Sequence, residues 1–280
     1  MAALAKNDKE QLQKWFASQR RRREPPPGPL AFPLSAAALF AAPAAKTGGS
    51  LGVDFVVAKE PYILADLGVL PEVDGRPQKR TLRLAQRMTD GGIAGVLWNC
   101  GRALAFMLPR LPEWTEGRFG GRVLELGCGT GLVGTACWLR GAREVAMTDL
   151  PAALGLARAN AAANVGEAAG LRVAPLAWGD PLPPALAGPW DVVVAADCLY
   201  DAAALPALLR TLAEAAGART VVYLAYKRRV DEREAPFFAE LERRFERVAF
   251  SAADAVPAEW RGTGLHLCRA TGRRPDGRSS

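Results

Sequence analysis

Histidine is nearly absent from this chain: a single residue, His266, stands among 280. The five cysteines (Cys100, Cys128, Cys137, Cys198 and Cys268) are scattered, odd in number and without a C-x-x-C pair. Together these leave little from which to build a zinc site, and no metal is expected. Unpaired, irregularly spaced cysteines are the pattern of reduced thiols inside a cell, so the expected location is the cytoplasm, with the nucleus also open. No apolar run reaches the roughly 18 to 20 residues that span a bilayer, so no membrane partner is expected. The N-terminus lacks the uninterrupted apolar segment of a secretory signal, and Asp8 and Glu10 argue against a mitochondrial presequence.

Half of the residues are apolar, enough for a large core in one domain with appendages. The net charge of +7 favours acidic partners, but Arg20 to Arg23, Arg273, Arg274 and Arg278 sit near the ends, which brings the centre closer to neutral. A solvated tail is the expected reading of these arginines, and nucleic acid is not an expected partner. Residues 1–50 form an N-terminal extension, expected to be partly disordered. Within it, 1–19 patterns as an amphipathic helix with Leu4, Leu12, Trp15 and Phe16 on one side. A charged, proline-rich linker at 20–29 follows, then an alanine-rich stretch at 31–50 that is left unassigned, although its run 35–40 is compatible with a short helix. Residues 51–270 form the main domain. Its first part, 51–90, holds strands at 52–59 and 81–87, and a helix is expected at 93–108. Residues 271–280 are expected to be a disordered tail.

The domain is organised around 122–134, RVLELGCGTGLVG. A short apolar run, Val123-Leu124-Glu125-Leu126, meets Gly127, Gly129 and Gly131, and a helical stretch starts at Leu132. This is a strand, a tight turn and a helix start, the first unit of a nucleotide-binding α/β sheet. Glycines suit a turn with unusual dihedrals and a ligand that approaches bare backbone. Two cofactor classes remain open at this point. G-x-G-x-G is the pattern of class I methyltransferases, which bind S-adenosylmethionine, while Gly129-x-Gly131-x-x-Gly134 satisfies the dinucleotide fingerprint. Asp149, closing the next apolar run, suits the ribose hydroxyls of either.

Short apolar segments then alternate with helical ones. Strands are expected at 122–126, 144–148, 171–177, 191–196 and 220–225, and helices at 132–140, 152–164, 202–216 and 234–244. Such alternation means a parallel sheet covered on both faces. Two last strands, 246–252 and 263–270, have no helix between them, an antiparallel hairpin that a simple dinucleotide domain would not need. The expected fold is α/β: a seven-stranded, Rossmann-like class I methyltransferase sheet with a terminal antiparallel hairpin, plus the N-terminal extension. Nothing supplies an acid for hydride transfer or a separate catalytic domain, which sets a dehydrogenase aside.

Six motifs stand in a fixed order: Gly92-x-x-Gly95-x-x-Trp98, the glycine loop, Thr148-Asp149-Leu150-Pro151, Asn160-x-x-x-Asn164, Trp178-Gly179-Asp180, and Ala195-Ala196-Asp197-Cys198-Leu199-Tyr200-Asp201. Over about 81–250 the chain resembles the seven-strand protein lysine methyltransferases often called methyltransferase family 16, whose hallmark D-x-x-Y is met by Asp197 and Tyr200. The resemblance implies transfer of a methyl group from S-adenosylmethionine to a lysine amine of a protein substrate. Family members serve elongation factors, chaperones and AAA-type ATPases. It also implies cofactor-binding roles for Trp98, Glu125, Gly127, Cys128, Gly129, Asp149, Trp178 and Ala196.

The residue chemistry agrees. A carboxylate at Glu125 suits the cofactor's ammonium and would repel a pyrophosphate. A flat ring at Trp178 suits adenine. Asp197 can orient an ammonium by charge-assisted hydrogen bonds, and Tyr200 can wall a lysine channel with its ring face. The basic stretch Tyr226-Lys227-Arg228-Arg229 reads either as a hold on the protein substrate or as a solvated loop. Two other readings stay open: a transferase of the same fold acting on protein histidine or a small amine, and an inactive cofactor-binding scaffold.

Overall fold

The computed structural model of the chain describes residues 29–41, 61–67, 81–87, 92–114, 119–229, 231–252 and 260–275, with 70, 72, 73, 75–77, 255 and 256 between them. The helix expected at 1–19, the linker up to residue 28, the strand at 52–59 and the tail from 276 lie outside these residues. No helix among them is long and apolar enough to cross a membrane.

Two strands, β1 (Tyr62–Asp66) and β2 (Thr81–Ala85), pair as an antiparallel hairpin. The central sheet is built from β3 (Arg122–Leu126), β4 (Glu144–Asp149), β5 (Leu171–Pro175), β6 (Trp190–Ala196), β7 (Ala216–Lys227), β8 (Phe245–Phe250) and β9 (Leu265–Arg273). Its order is β5-β4-β3-β6-β7-β9-β8. The first five of these strands run parallel, and β9 enters antiparallel between β7 and β8. This is the doubly wound sheet with a terminal hairpin that the alternation predicts.

The helices are α1 (Ala36–Ala41), α2 (Asn99–Met107), α3 (Leu132–Leu139), α4 (Pro151–Val165), α5 (Leu205–Ala215) and α6 (Asp231–Arg244). Successive residues of a strand point to opposite faces, so each sheet face has its own core. Val123 of β3 packs with Leu104 of α2, Val133 of α3 and Ala157 of α4. Leu124 and Leu126 pack on the other side with Leu208 of α5 and Phe238 of α6. Because β3 is buried on both faces it reads as a continuous apolar run, and only Glu125 interrupts it.

Several boundaries differ from expectation. The helix expected at 93–108 is broken into a 3-10 turn at Gly92–Gly95, α2, and a second 3-10 turn at Leu108–Arg110. Gly95 lies so close to Arg87 that a Cβ there would run into the Arg87 carbonyl, and the Arg87 N–H donates to the Gly95 carbonyl at 2.8 Å. β1 lies in a stretch to which the sequence assigned no element. β9 continues to Arg273, three residues past the expected tail boundary at 270, and the Arg274 N–H donates to the Arg244 carbonyl at 2.8 Å. Arg273 and Arg274 are therefore not a solvated tail.

Part of the N-terminal extension is also fixed to the domain. Leu34 and Phe250 exchange backbone hydrogen bonds of 3.3 and 2.8 Å at the β8 edge. Ala36 and Leu39 of α1 are buried in the core beneath α6. The helix forms in a stretch to which the sequence assigned no element.

Candidate functional site

β3 and β6 are neighbours, with Leu126 opposite Ala195, so the loops that leave their carboxyl ends stand side by side. The chain crosses from one half of the sheet to the other between them, and such a switch point is where doubly wound sheets bind ligands. Gly127 and Gly129 adopt φ of 69° and 51°, the left-handed region that disfavours any side chain. Space forbids one as well. A Cβ on Gly127 would lie 2.9 Å from the Cys198 sulfur and 3.1 Å from Cζ2 of Trp178, and one on Gly129 would lie 3.1 Å from the Ala94 carbonyl oxygen. The loop is thus bare backbone lying against Trp178 on one side and the turn before Trp98 on the other.

Asp149 ends β4 beside this loop. Its carboxylate accepts the Gly129 N–H at 2.8 Å and the Leu150 N–H at 2.7 Å, which orients it at the strand end. Burial pushes its pKa up, and the two N–H donors pull it part of the way back. Cys128 is buried in the loop, its N–H donating to the Thr148 carbonyl at 2.9 Å. Trp178 is half-buried in a turn beyond β5, since that strand ends at Pro175 and not at 177 as expected. Trp98 caps the start of α2 and donates its indole N–H to the Ile93 carbonyl at 2.8 Å. Ala196 closes β6, next to Asp197.

Glu125 requires a revision. Its side chain is 2 % exposed and points beneath α3, where it accepts the Gly134 N–H at 2.8 Å. Burial raises its pKa to about 8, the Gly134 donor opposing and the Asp149 charge adding to the rise. Near neutral pH the free protein therefore carries a largely uncharged carboxyl there. A neutral carboxyl does not repel a pyrophosphate, and in the free protein Glu125 braces the start of α3.

Asp197 is the one non-glycine residue at positive φ (57°) among the described residues. Aspartate tolerates this conformation better than most residues, and such strain clusters at functional sites. Its N–H donates to the Ala225 carbonyl at 2.8 Å, and its carboxylate Oδ1 accepts Nη2 of Arg229 at 2.8 Å. The other oxygen, Oδ2, is buried with no N–H or O–H partner among the described residues, and the buried Cys100 thiol is the one side chain close enough to hydrogen-bond the carboxylate besides Arg229. A buried acceptor is costly to leave unsatisfied, so this atom has capacity for a donor from outside the chain. Cys100 of α2 packs beside the carboxylate. Burial, and then the Asp197 charge, push its thiol well up. Tyr200, three residues on, is 42 % exposed, and its backbone carbonyl accepts Nη1 of Arg233 at 2.9 Å. Burial of part of the ring is the main reason its phenol titrates above the usual value.

The basic stretch that ends β7 and runs past it is not a solvated loop. Tyr226, Lys227 and Arg228 are buried. Arg228 is bound to Asp231 at 2.6 Å and to the Leu39 carbonyl at 2.8 Å, and Arg229 is turned to Asp197. Sequence reasoning also gave Asn160 and Asn164 no structural task. They stand four residues apart on one face of α4. Each brackets one residue of β2: Oδ1 of Asn160 accepts the Ala85 N–H at 2.8 Å while its amide donates to the Ala85 carbonyl at 3.1 Å, and Asn164 does the same to Arg83 at 3.0 and 2.9 Å. Asn160 also donates to the Thr130 carbonyl at 3.0 Å, tying the hairpin to the glycine loop.

The donor set fits S-adenosylmethionine. The loop offers room only where Cβ atoms are missing, Asp149 is a carboxylate at the ribose position of such sheets, and an indole ring lines the loop.

Comparison with known proteins gives a consistent result. Residues 76–244 match a family described as lysine methyltransferase. Over 166 residues the chain is 37 % identical to protein N-lysine methyltransferase METTL21A of Danio rerio, covering 59 % of this chain and 74 % of that protein. It is 39 % identical over 150 residues to EEF1A lysine methyltransferase 3 of Mus musculus, covering 54 % of this chain and 62 % of the relative, less than two thirds of its length. A shorter match, 35 % over 109 residues, covers 38 % of this chain and 40 % of the electron transfer flavoprotein beta subunit lysine methyltransferase of Xenopus laevis.

Proposed function

The chain belongs to the lysine methyltransferase family, and from that premise we propose how its residues move a methyl group from S-adenosylmethionine to a lysine amine of a protein. The observation that carries the assignment is the buried, unpartnered Oδ2 of Asp197 at the sheet's switch point. It lies where a protonated or newly neutral amine would supply the missing donor.

The cofactor supplies an electrophilic methyl group on a sulfonium. The chain supplies its seat: the backbone of Gly127, Cys128 and Gly129, the Asp149 carboxylate for the ribose hydroxyls, and Trp178 with Trp98 and Ala196 as walls. Glu125 sets the loop from beneath through Gly134. Asp197 would orient the acceptor amine and Tyr200 would border its approach. Tyr200 does not take the lysine proton, because its phenol is shifted further from neutrality than usual. His266 does not either: on β9 opposite Tyr226, burial pushes it down to about 4. The acceptor lysine therefore gives its proton to solvent before it attacks, and catalysis here is alignment and exclusion of water.

The substrate is a protein. An elongation factor is the first acceptor to test, since a relative is named for EEF1A; chaperones and AAA-type ATPases come next. All five cysteines are free and buried, which supports a reducing compartment, the cytoplasm. Asp197→Asn tests the assignment. Incorporation of labelled methyl into cell-extract protein is expected to fall at least about 100-fold, the scale of a misplaced reactant, while cofactor affinity by calorimetry stays within about twofold, well under the 1.4 kcal/mol that marks a tenfold change. Collapse of cofactor affinity would make Asp197 a cofactor or structural residue instead.

A further inference from the structure

We propose that Arg229 is a positioning residue for the acceptor site, holding Asp197 so that one carboxylate oxygen stays available to the incoming amine. The proposal rests on the assignment of Asp197 to the acceptor.

The geometry is a closed circuit. Nη2 of Arg229 binds Oδ1 of Asp197 at 2.8 Å, with the two side chains only 14 % and 5 % exposed. The Arg229 backbone N–H is held in turn by both carboxylate oxygens of Glu234, each at 3.1 Å. Glu234 is fully buried in the first turn of α6, where the helix end favours negative charge. Arg233 beside it reaches Glu234 at 3.3 Å and the Tyr200 carbonyl at 2.9 Å. The two ends of Asp197-x-x-Tyr200 are therefore linked through Arg229, Glu234 and Arg233, all held by the start of one helix.

This arrangement answers two physical needs. A carboxylate buried at positive φ has few restraints from its own backbone neighbours, and a guanidinium fixes its plane through one oxygen. Using one oxygen leaves the other unpartnered, which is what the acceptor requires. The positive charge of Arg229 also disfavours a second cation beside it, so the neutral, nucleophilic form of the arriving lysine is the one the site accommodates better. Among the described residues, the charged and titratable groups facing Asp197 include Cys100 from α2, Lys227 at the end of β7, Arg229 beyond it, and Cys198 and Tyr200 from its own loop.

The test compares Arg229→Met, Arg229→Lys and Asp197→Asn in the full chain, using labelled S-adenosylmethionine and cell-extract protein as the acceptor. For Arg229→Met the transfer rate is expected to fall about 30- to 100-fold, as a displaced reacting group would cause, with the KM for S-adenosylmethionine unchanged within about twofold. Arg229→Lys keeps the charge and should recover most of the rate. Full activity of Arg229→Met would overturn the proposal, and so would a loss expressed in the cofactor KM alone. If Arg229→Met does not fold, Arg229→Lys decides: a rate as low as that of Asp197→Asn contradicts the positioning role. Full activity of Asp197→Asn would instead sink the acceptor assignment itself, so the two failures are told apart.

Discussion

At the scale of single residues, position in the sheet decides what each acidic group can do. Asp149 and Glu125 stand at the ends of adjacent strands, yet one is half-buried at the edge and the other sealed beneath α3. Asp149→Ala should weaken cofactor binding by about 1 to 3 kcal/mol, the range for hydrogen bonds to a charged group. Unchanged affinity in a calorimetric titration would refute the ribose role. The glycine loop, Asp149 and Asp197 were legible in the sequence because each chemistry needs a fixed residue at a strand end. The pairing of Arg229 with Asp197 was not, because 32 residues separate them and only the parallel register of β6 and β7 brings them together. A run of basic residues reads as solvated unless something marks its strand as buried, and here the mark was the apolar run leading into it.

Among the elements of the described residues, the hairpin of β1 and β2 pairs with no strand of the main sheet and is held by side chains. Asn160 and Asn164 present an amide in place of a partner strand, satisfying both the N–H and the carbonyl of Ala85 and of Arg83. Asn164→Ala should lower stability by about 1 to 3 kcal/mol, the desolvation cost of backbone groups left unpaired. Hydrogen exchange at the Arg83 amide should quicken while the β3 and β6 amides keep their protection; equal loosening everywhere would contradict this local role. The i, i+4 spacing of the two asparagines and the strand at 81–87 were both visible in the sequence, but not that the one lies against the other. The break of the 93–108 helix was missed for a related reason. Its apolar spacing suits a helix, whereas the 3-10 turn that replaces its start sets Gly95 against Arg87, a contact that spacing does not show.

For the whole molecule, two buried titratable groups tilt stability with pH in opposite senses. His266 is lowered from 6.5 to about 4 by burial. Below pH 6.5 the unfolded chain takes up a proton that the folded one refuses, so stability is lost as pH falls from 6.5 towards 4, at up to about 1.4 kcal/mol per unit. Glu125 is raised from 4.5 to about 8. The unfolded chain ionises first, so stability is lost as pH rises from 4.5 towards 8. In chemical denaturation across this range, His266→Asn should flatten the acid side and Glu125→Gln the alkaline side; unchanged slopes would contradict these burials. The architecture at this scale was the most legible part, because parallel strands covered on both faces impose an apolar alternation that a terminal hairpin then breaks. What the alternation could not reveal is that 29–41 closes the far edge, with Arg228 over the Phe40 ring at 4.9 Å.

The central claim is methyl transfer to protein lysine at the switch point between β3 and β6. The direct measurement is incubation of the purified chain with labelled S-adenosylmethionine and cell extract, followed by identification of the labelled residue by mass spectrometry. Methyl-lysine in one or two proteins, absent with Asp197→Asn, is the predicted result. Label on histidine or on a small amine, or no label despite cofactor binding with elongation factor, chaperone and AAA-type ATPase all supplied, would contradict it.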